Sequence, residues 1–145
     1  MKISLSGIEL IKKFEGFSKM AYPDTNKRWS IGYGHNGELN GTEITQGMCI
    51  TEEDATKILI NDLKVVERTL NNNVLVDLSQ NQFDALCSLV FNIGSRAFIQ
   101  SHMLSLLNKK DFYGAADEFL LWSKAGTKKD YLLYRRQKER KLFLL

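Results

Sequence analysis

Apolar residues near the start of the chain recur at helical spacing: Ile8, Ile11 and Phe14, with Leu10 beside them, form one stripe. Ser6-x-x-Glu9 reads as a capping box that opens this helix, and Gly16 as its stop. The pattern changes from Phe17 to Ile44, where aromatic and β-branched residues alternate with turn formers. Asn36-Gly37 and Asn40-Gly41 are hairpin dipeptides, so this stretch predicts a small, irregular antiparallel sheet. Helical spacing then returns. Thr51-x-x-Asp54 opens a long amphipathic helix through Ala55, Ile58, Leu59, Leu63, Val66 and Leu70, ended by Asn71-Asn72-Asn73. Ser79-x-x-Gln82 opens another through Phe83, Leu86, Val90 and Ile93, with Gly94 as its stop. Further helices are expected around 102–107, over 111–122 and over 131–144, with a loop from Ala125 through Gly126 and Thr127 to Lys129 before the last.

These elements imply one α+β domain. A small sheet-bearing lobe takes about residues 14–50, a long helix about 51–71, and an all-helical lobe about 74–145 together with residues 1–13. A cleft between two such lobes is where a ligand site is expected.

Composition narrows the class. A chain of 145 residues with 43% hydrophobic and 26% charged content can bury its own core without metal or disulfide support. The net charge of +3 suits an anionic partner such as a bacterial envelope, without demanding nucleic acid. No apolar run approaches the ~20 residues that span a bilayer. Glu9, Lys12, Lys13 and Glu15 also interrupt any apolar core of a signal peptide or signal-anchor. A cytoplasmic protein without stable membrane insertion is therefore expected. Cys49 and Cys87 match neither zinc nor redox spacing, so two buried free thiols are expected, with a disulfide as the alternative. His35 and His102 stand alone, which predicts no metal and no other cofactor.

The densest chemistry lies between residues 14 and 35. Phe14-Glu15-Gly16-Phe17, then Tyr22-Pro23-Asp24, then Trp29-Ser30-Ile31-Gly32-Tyr33-Gly34-His35 bring two carboxylates, a hydroxyl and an imidazole together. Glu15 falls at a helix C-terminus between aromatic rings. The helix dipole and partial desolvation there both favour a protonated carboxyl, as a general acid requires. Asp24 falls in a polar turn with Thr25, Asn26 and Lys27, where a carboxylate stays ionised. Two acids with opposite protonation roles are what an inverting glycosidase uses, one to protonate the leaving oxygen and one to activate water. The Ser30 hydroxyl is placed to hold that water. Trp29, Tyr33 and Phe17 fit either a sugar-binding surface or the lobe's hydrophobic filling. The run Arg135-Arg136-Gln137-Lys138-Glu139-Arg140-Lys141 reads by default as a solvated basic helix face. Its functional alternatives are nucleic-acid binding, attraction to an envelope, or an arginine set against the catalytic glutamate.

The spacing Glu15, Asp24 and then a hydroxyl at 30 resembles the catalytic signature of phage-type lysozymes. So do Leu10-Ile11-Lys12-x-Phe14-Glu15-Gly16, Ala21-Tyr22-x-Asp24, Ile31-Gly32-Tyr33-Gly34-His35 and Asn81-Gln82-x-x-Ala85-Leu86-x-Ser88-x-x-Phe91-Asn92-x-Gly94. Trp122-x-x-Ala125-Gly126 and Arg135-Arg136-x-x-Glu139-Arg140 extend the resemblance over essentially the whole chain. It implies a lysozyme-like fold of two lobes with the glycan bound in the cleft. It also implies an inverting muramidase acting on the β-1,4 bond between N-acetylmuramic acid and N-acetylglucosamine in peptidoglycan. Glu15 would be the general acid, Asp24 would assist the attacking water, and Ser30 would help to place it. By the same resemblance Asn36, Phe91 and Ser101 touch the glycan, and His35 and Asp62 form a supporting ion pair. Arg136, with Arg135 as the alternative, lies near the catalytic glutamate. The resemblance further implies a monomer that binds peptidoglycan strands, reaches the wall through a holin at host lysis, and does not bind nucleic acid. Two departures stand out: the hydroxyl residue is usually threonine rather than Ser30, and Tyr134 occupies a place where proline is common.

Overall fold

In a computed structural model of the chain, residues 1–24, 26–125 and 128–145 are described. Thr25 of the predicted turn and Gly126-Thr127 of the predicted loop lie outside the described residues. The chain divides into two compact units, residues 11–62 and residues 1–10 with 63–145. Helices α1 (Leu5–Glu15) and α2 (Glu52–Asn73) each contribute residues to both.

Among the described residues, the extended strands all lie in the unit of residues 11–62. Strands β1 (Ser18–Pro23), β2 (Trp29–Gly32) and β3 (His35–Asn36) form one antiparallel sheet in that order. Tyr22 lies opposite Ser30, and Ser30 opposite Asn36, with a bulge in β1 between Ser18 and Tyr22. Alternation therefore puts Tyr22, Ser30 and Asn36 on one face, and Ile31 and His35 on the other. Ile31 is fully buried there, among Ile50, Ala55, Ile58 and Leu59. Strands β4 (Glu38–Leu39) and β5 (Thr42–Glu43) make a separate hairpin rather than joining the sheet. Its two-residue turn is Asn40-Gly41, both at positive φ (54° and 79°), the type I′ geometry that suits strand twist. The segment before α2 runs along β1, with Ala21 donating to the Met48 carbonyl and Ile50 to that of Lys19, each at 2.9 Å. Cys49 in that segment is exposed, which corrects the expectation of two buried thiols; both cysteines are free.

In the unit of residues 1–10 and 63–145, helix α3 (Gln80–Ile93) is the centre. Residues Phe83 through Val90 are buried without a break, as expected of a helix surrounded on all sides. Its predicted capping box is present, Ser79 accepting from Gln82 and the Gln82 side chain accepting from Ser79. Helices α4 (Ser95–Ile99), α5 (His102–Asn108) and α6 (Phe112–Glu118) follow, then a 3-10 turn over Phe119–Trp122 and helix α7 (Leu133–Phe143), which packs on α3. Phe119 and Phe143 meet as tilted rings, with centroids 5.5 Å apart, in the apolar filling.

The first helix starts two residues earlier than its sequence pattern suggested. Ser4, not Ser6, is the cap: its hydroxyl accepts from the Gly7 N–H at 3.1 Å and donates to the Asp84 carboxylate. Asp84 also accepts from the Ser4 N–H at 3.0 Å, so a residue eighty positions away fixes where the helix begins. Gly7 is needed for this approach, because a Cβ there would stand 2.7 Å from the Asp84 carboxyl carbon. Among the described residues no helix is long and apolar enough to cross a membrane.

Candidate active site

Glu15, Asp24, Ser30, His35, Asn36 and Asp62 all belong to the unit of residues 11–62. Glu15 is the last residue of α1, and Gly16 ends the helix at φ 72° while its N–H still reaches the Lys12 carbonyl at 2.9 Å. Glu15 Oε1 lies against Gly34 in the β2–β3 turn, where a Cβ would sit only 3.2 Å from it. The absence of a side chain at Gly34 therefore lets this carboxyl close on the backbone.

Tyr33 holds that turn in place. Its ring is buried against Phe17 at 5.5 Å, and its hydroxyl donates to Glu52 Oε1 at 2.8 Å. Lys12 Nζ reaches the same oxygen at 3.1 Å and lies 5.4 Å above the Tyr33 ring. The Tyr33 hydrogen bond, then those of Lys12 and Thr56, hold the Glu52 carboxyl below its usual range. Of the three aromatics read as sugar-binding or filling, Tyr33 is filling, Phe17 is exposed and Trp29 is half-buried.

Asp24 follows the end of β1 and closes a tight loop. Its N–H donates to the Arg28 carbonyl at 2.7 Å, and its carbonyl accepts from Lys27 at 3.0 Å. Oδ1 accepts from the N–H groups of Asn26 at 2.8 Å and Arg28 at 2.9 Å, an Asx-type turn. Oδ2 is left to the Ser30 hydroxyl, which donates to it at 3.4 Å. Ser30 is only 2% exposed, so the spacing that marked acid and hydroxyl in sequence corresponds to real contact in the fold.

On the other sheet face, His35 Nδ1 meets Asp62 Oδ2 of α2 at 2.8 Å, and Nε2 meets the Glu38 carbonyl at 2.8 Å. Both partners are acceptors, so the doubly protonated ring satisfies them together. The Asp62 hydrogen bond outweighs burial and raises the His35 pKa above 6.5. Asn36 is exposed at the sheet edge.

Phe91, Ser101 and Arg136 lie in the other unit. Phe91 is half-buried near the C-terminus of α3. Ser101 acts locally as the cap of α5, accepting from Leu104 at 3.3 Å and donating to the Phe98 carbonyl at 2.6 Å. The basic run departs most from its sequence reading. Arg135, Arg136 and Glu139 are buried, at 7%, 0% and 0% exposure, so this stretch is not a solvated face. Arg136 donates from Nε to the Trp122 carbonyl at 2.8 Å, and from its other nitrogens to Glu139 and Asn92. Arg135 bridges Glu139 at 3.1 Å and the Ser88 carbonyl at 3.0 Å, while the Ser88 hydroxyl donates to Glu139. Tyr134, in place of the common proline, sits exposed in the first turn of α7 with Lys138 Nζ 5.4 Å from its ring.

A cavity of about 510 Å³ lined by Lys19, Asn40, Cys49, Asp54 and Lys57 contains none of the predicted site residues. No group of three or more metal-ligating side chains occurs among the described residues. The sequence shows Tyr22 beside Asp24 but gives it no role; its place opposite Ser30 emerges only from the strand register.

Comparison with known proteins places this geometry in context. The phage lysozyme family model matches residues 12–139. An endolysin of Salmonella phage P22 is 49% identical over 144 residues, covering 99% of each chain. The crystal structure of a P22 lysozyme mutant superposes with a TM-score of 0.93 at 48% identity, covering 100% of this chain and 99% of that one. The muramidase domain of SpmX from Asticcacaulis excentricus superposes with a TM-score of 0.87 at 40% identity, covering 99% of this chain and 98% of that one.

Proposed function

The chain belongs to the phage lysozyme family, and on that footing we propose that it hydrolyses the β-1,4 bond between N-acetylmuramic acid and N-acetylglucosamine in peptidoglycan, with inversion. The observation that carries this reading is the state of Asp24. One of its oxygens is tied to two backbone N–H groups, and the other is turned to a buried hydroxyl, an arrangement for an acceptor that steers a water. Glu15, at a helix C-terminus against Gly34, supplies the proton to the leaving oxygen. Ser30 fixes the water's second hydrogen-bond direction. Similarity to an endolysin, a lysozyme and a muramidase domain supports the same chemistry.

Cell-wall lysis of a phage host follows as the biological role. The protein acts as a monomer on glycan strands, is held in the host cytoplasm, and reaches the wall through a membrane lesion made by a holin. Asn36, Phe91 and Ser101 contact the glycan in this proposal.

Digestion of purified peptidoglycan in heavy-oxygen water tests the reading. New reducing ends on N-acetylmuramic acid that carry the heavy oxygen are expected. Anhydro-sugar ends would mean a lytic transglycosylase instead, and intact glycan with retained binding an inactive adaptor. Glu15→Gln is expected to abolish cleavage while leaving the helical circular-dichroism spectrum unchanged.

A further inference from the structure

Tyr22 has no part in the acid–water scheme, yet the strand register sets it directly opposite Ser30. Opposed residues on antiparallel strands project from the same face about 5 Å apart. Ser30 is in turn opposite Asn36, so Tyr22, Ser30 and Asn36 form a row across β1, β2 and β3 that spans about 10 Å. Asp24, two residues beyond Tyr22, joins this row through the Ser30 hydroxyl. The Ser30 donor is thus already committed, and Asp24 Oδ1 is taken by backbone. Tyr22 differs. Its ring is half-buried, and its hydroxyl has no hydrogen-bond partner among the described residues. No buried side-chain oxygen or nitrogen lacks a partner among the described residues, so this hydroxyl reaches the surface and is open to a polar group that enters the site. Burial first, then the carboxylates of Glu15 and Asp24, push the Tyr22 pKa above 10.0. The group is therefore a neutral O–H donor at any pH where the two acids work.

We infer that Tyr22 is a substrate contact, whose phenol donates a hydrogen bond to an oxygen of the sugar held between Glu15 and Asp24. The inference rests on the muramidase reading of this site. The ligand class is a neutral, oxygen-rich pyranose, since an anion beside the Asp24 carboxylate would be repelled. The Asp24 carboxylate also makes an aromatic O–H preferable to a lysine here, because a cation would pair with it and stop facing the sugar.

Tyr22→Phe removes the hydroxyl and keeps the ring. On purified peptidoglycan it is expected to lower kcat/KM roughly tenfold, the effect of one neutral hydrogen bond, with an unchanged melting temperature. In the Glu15→Gln background, calorimetric affinity for a purified glycan oligomer from peptidoglycan is expected to weaken by a similar factor when Tyr22→Phe is added. Wild-type kcat/KM and wild-type affinity in the Phe variants would overturn the contact while leaving the muramidase reading intact. Absence of glycan cleavage by the unmodified protein would overturn that reading and the contact with it.

Discussion

The hydroxyl of Ser30 is the least accessible part of the proposed acid–water arrangement, in a residue at 2% exposure, 3.4 Å from Asp24. Serine lacks the methyl that restricts χ1 in threonine, so its direction is set by Asp24 and by its strand neighbours. Ser30→Ala is expected to lower the rate about ten- to a hundredfold, since it removes a donor to a carboxylate. Ser30→Thr keeps the hydroxyl and is expected to retain activity. Clearing of permeabilised cells measures both, and a wild-type rate for Ser30→Ala would remove the water-holding role. At this scale the positions of Glu15, Asp24 and Ser30 were legible, because a helix end, a turn and a strand are local features. Tyr22 was not, because its position beside Ser30 depends on a register that includes a bulge between Ser18 and Tyr22.

Among the elements, the His35 clamp joins β3 and β4 to α2 through Asp62 and the Glu38 carbonyl. Because the folded pKa of His35 is raised, its contribution to stability is complete below the unfolded value of about 6.5. That contribution is lost as the pH rises through the folded value. Asp62→Asn is therefore expected to destabilise the protein more on the acid side of this window than on the alkaline side. An NMR titration should find His35 raised in the wild type and lower in the variant; a depressed wild-type value would reject the clamp. The caps at Thr51 and Ser79 were readable because each bonds within its own helix turn. The true cap at Ser4 was hidden, since Asp84 selects it over Ser6 from far along the chain. The short helix α4 left no mark either: Gly94 looked like a stop, and it serves at once as the C-cap of α3 and the N-cap of α4. Asn40-Gly41 did mark its turn, but not that β4 and β5 would stand apart from the other three strands.

For the molecule as a whole, the buried cluster of Arg135, Arg136, Glu139 and Ser88 decides what the basic run is for. Two of the chain's cations are placed inside the helical unit rather than on a surface. A signal existed in sequence, since Glu139 stands four residues after Arg135 and three after Arg136, on the same helix side. Read as composition, the run concealed it. Glu139→Gln leaves two guanidinium groups buried against a neutral amide and is expected to cost about 3–5 kcal/mol in chemical denaturation. A change below about 1 kcal/mol would show that the cluster is not a unit. The two cysteines turn this into something visible without added probes. Cys49 is open to solvent, whereas burial in α3 closes Cys87 and pushes its thiol well above the ordinary range. In the folded chain one sulfur is available to an alkylating reagent; the second becomes available only when the helical unit opens. The molecule thus carries an internal clock for its own breathing, with one thiol to mark total protein and the other to time each opening.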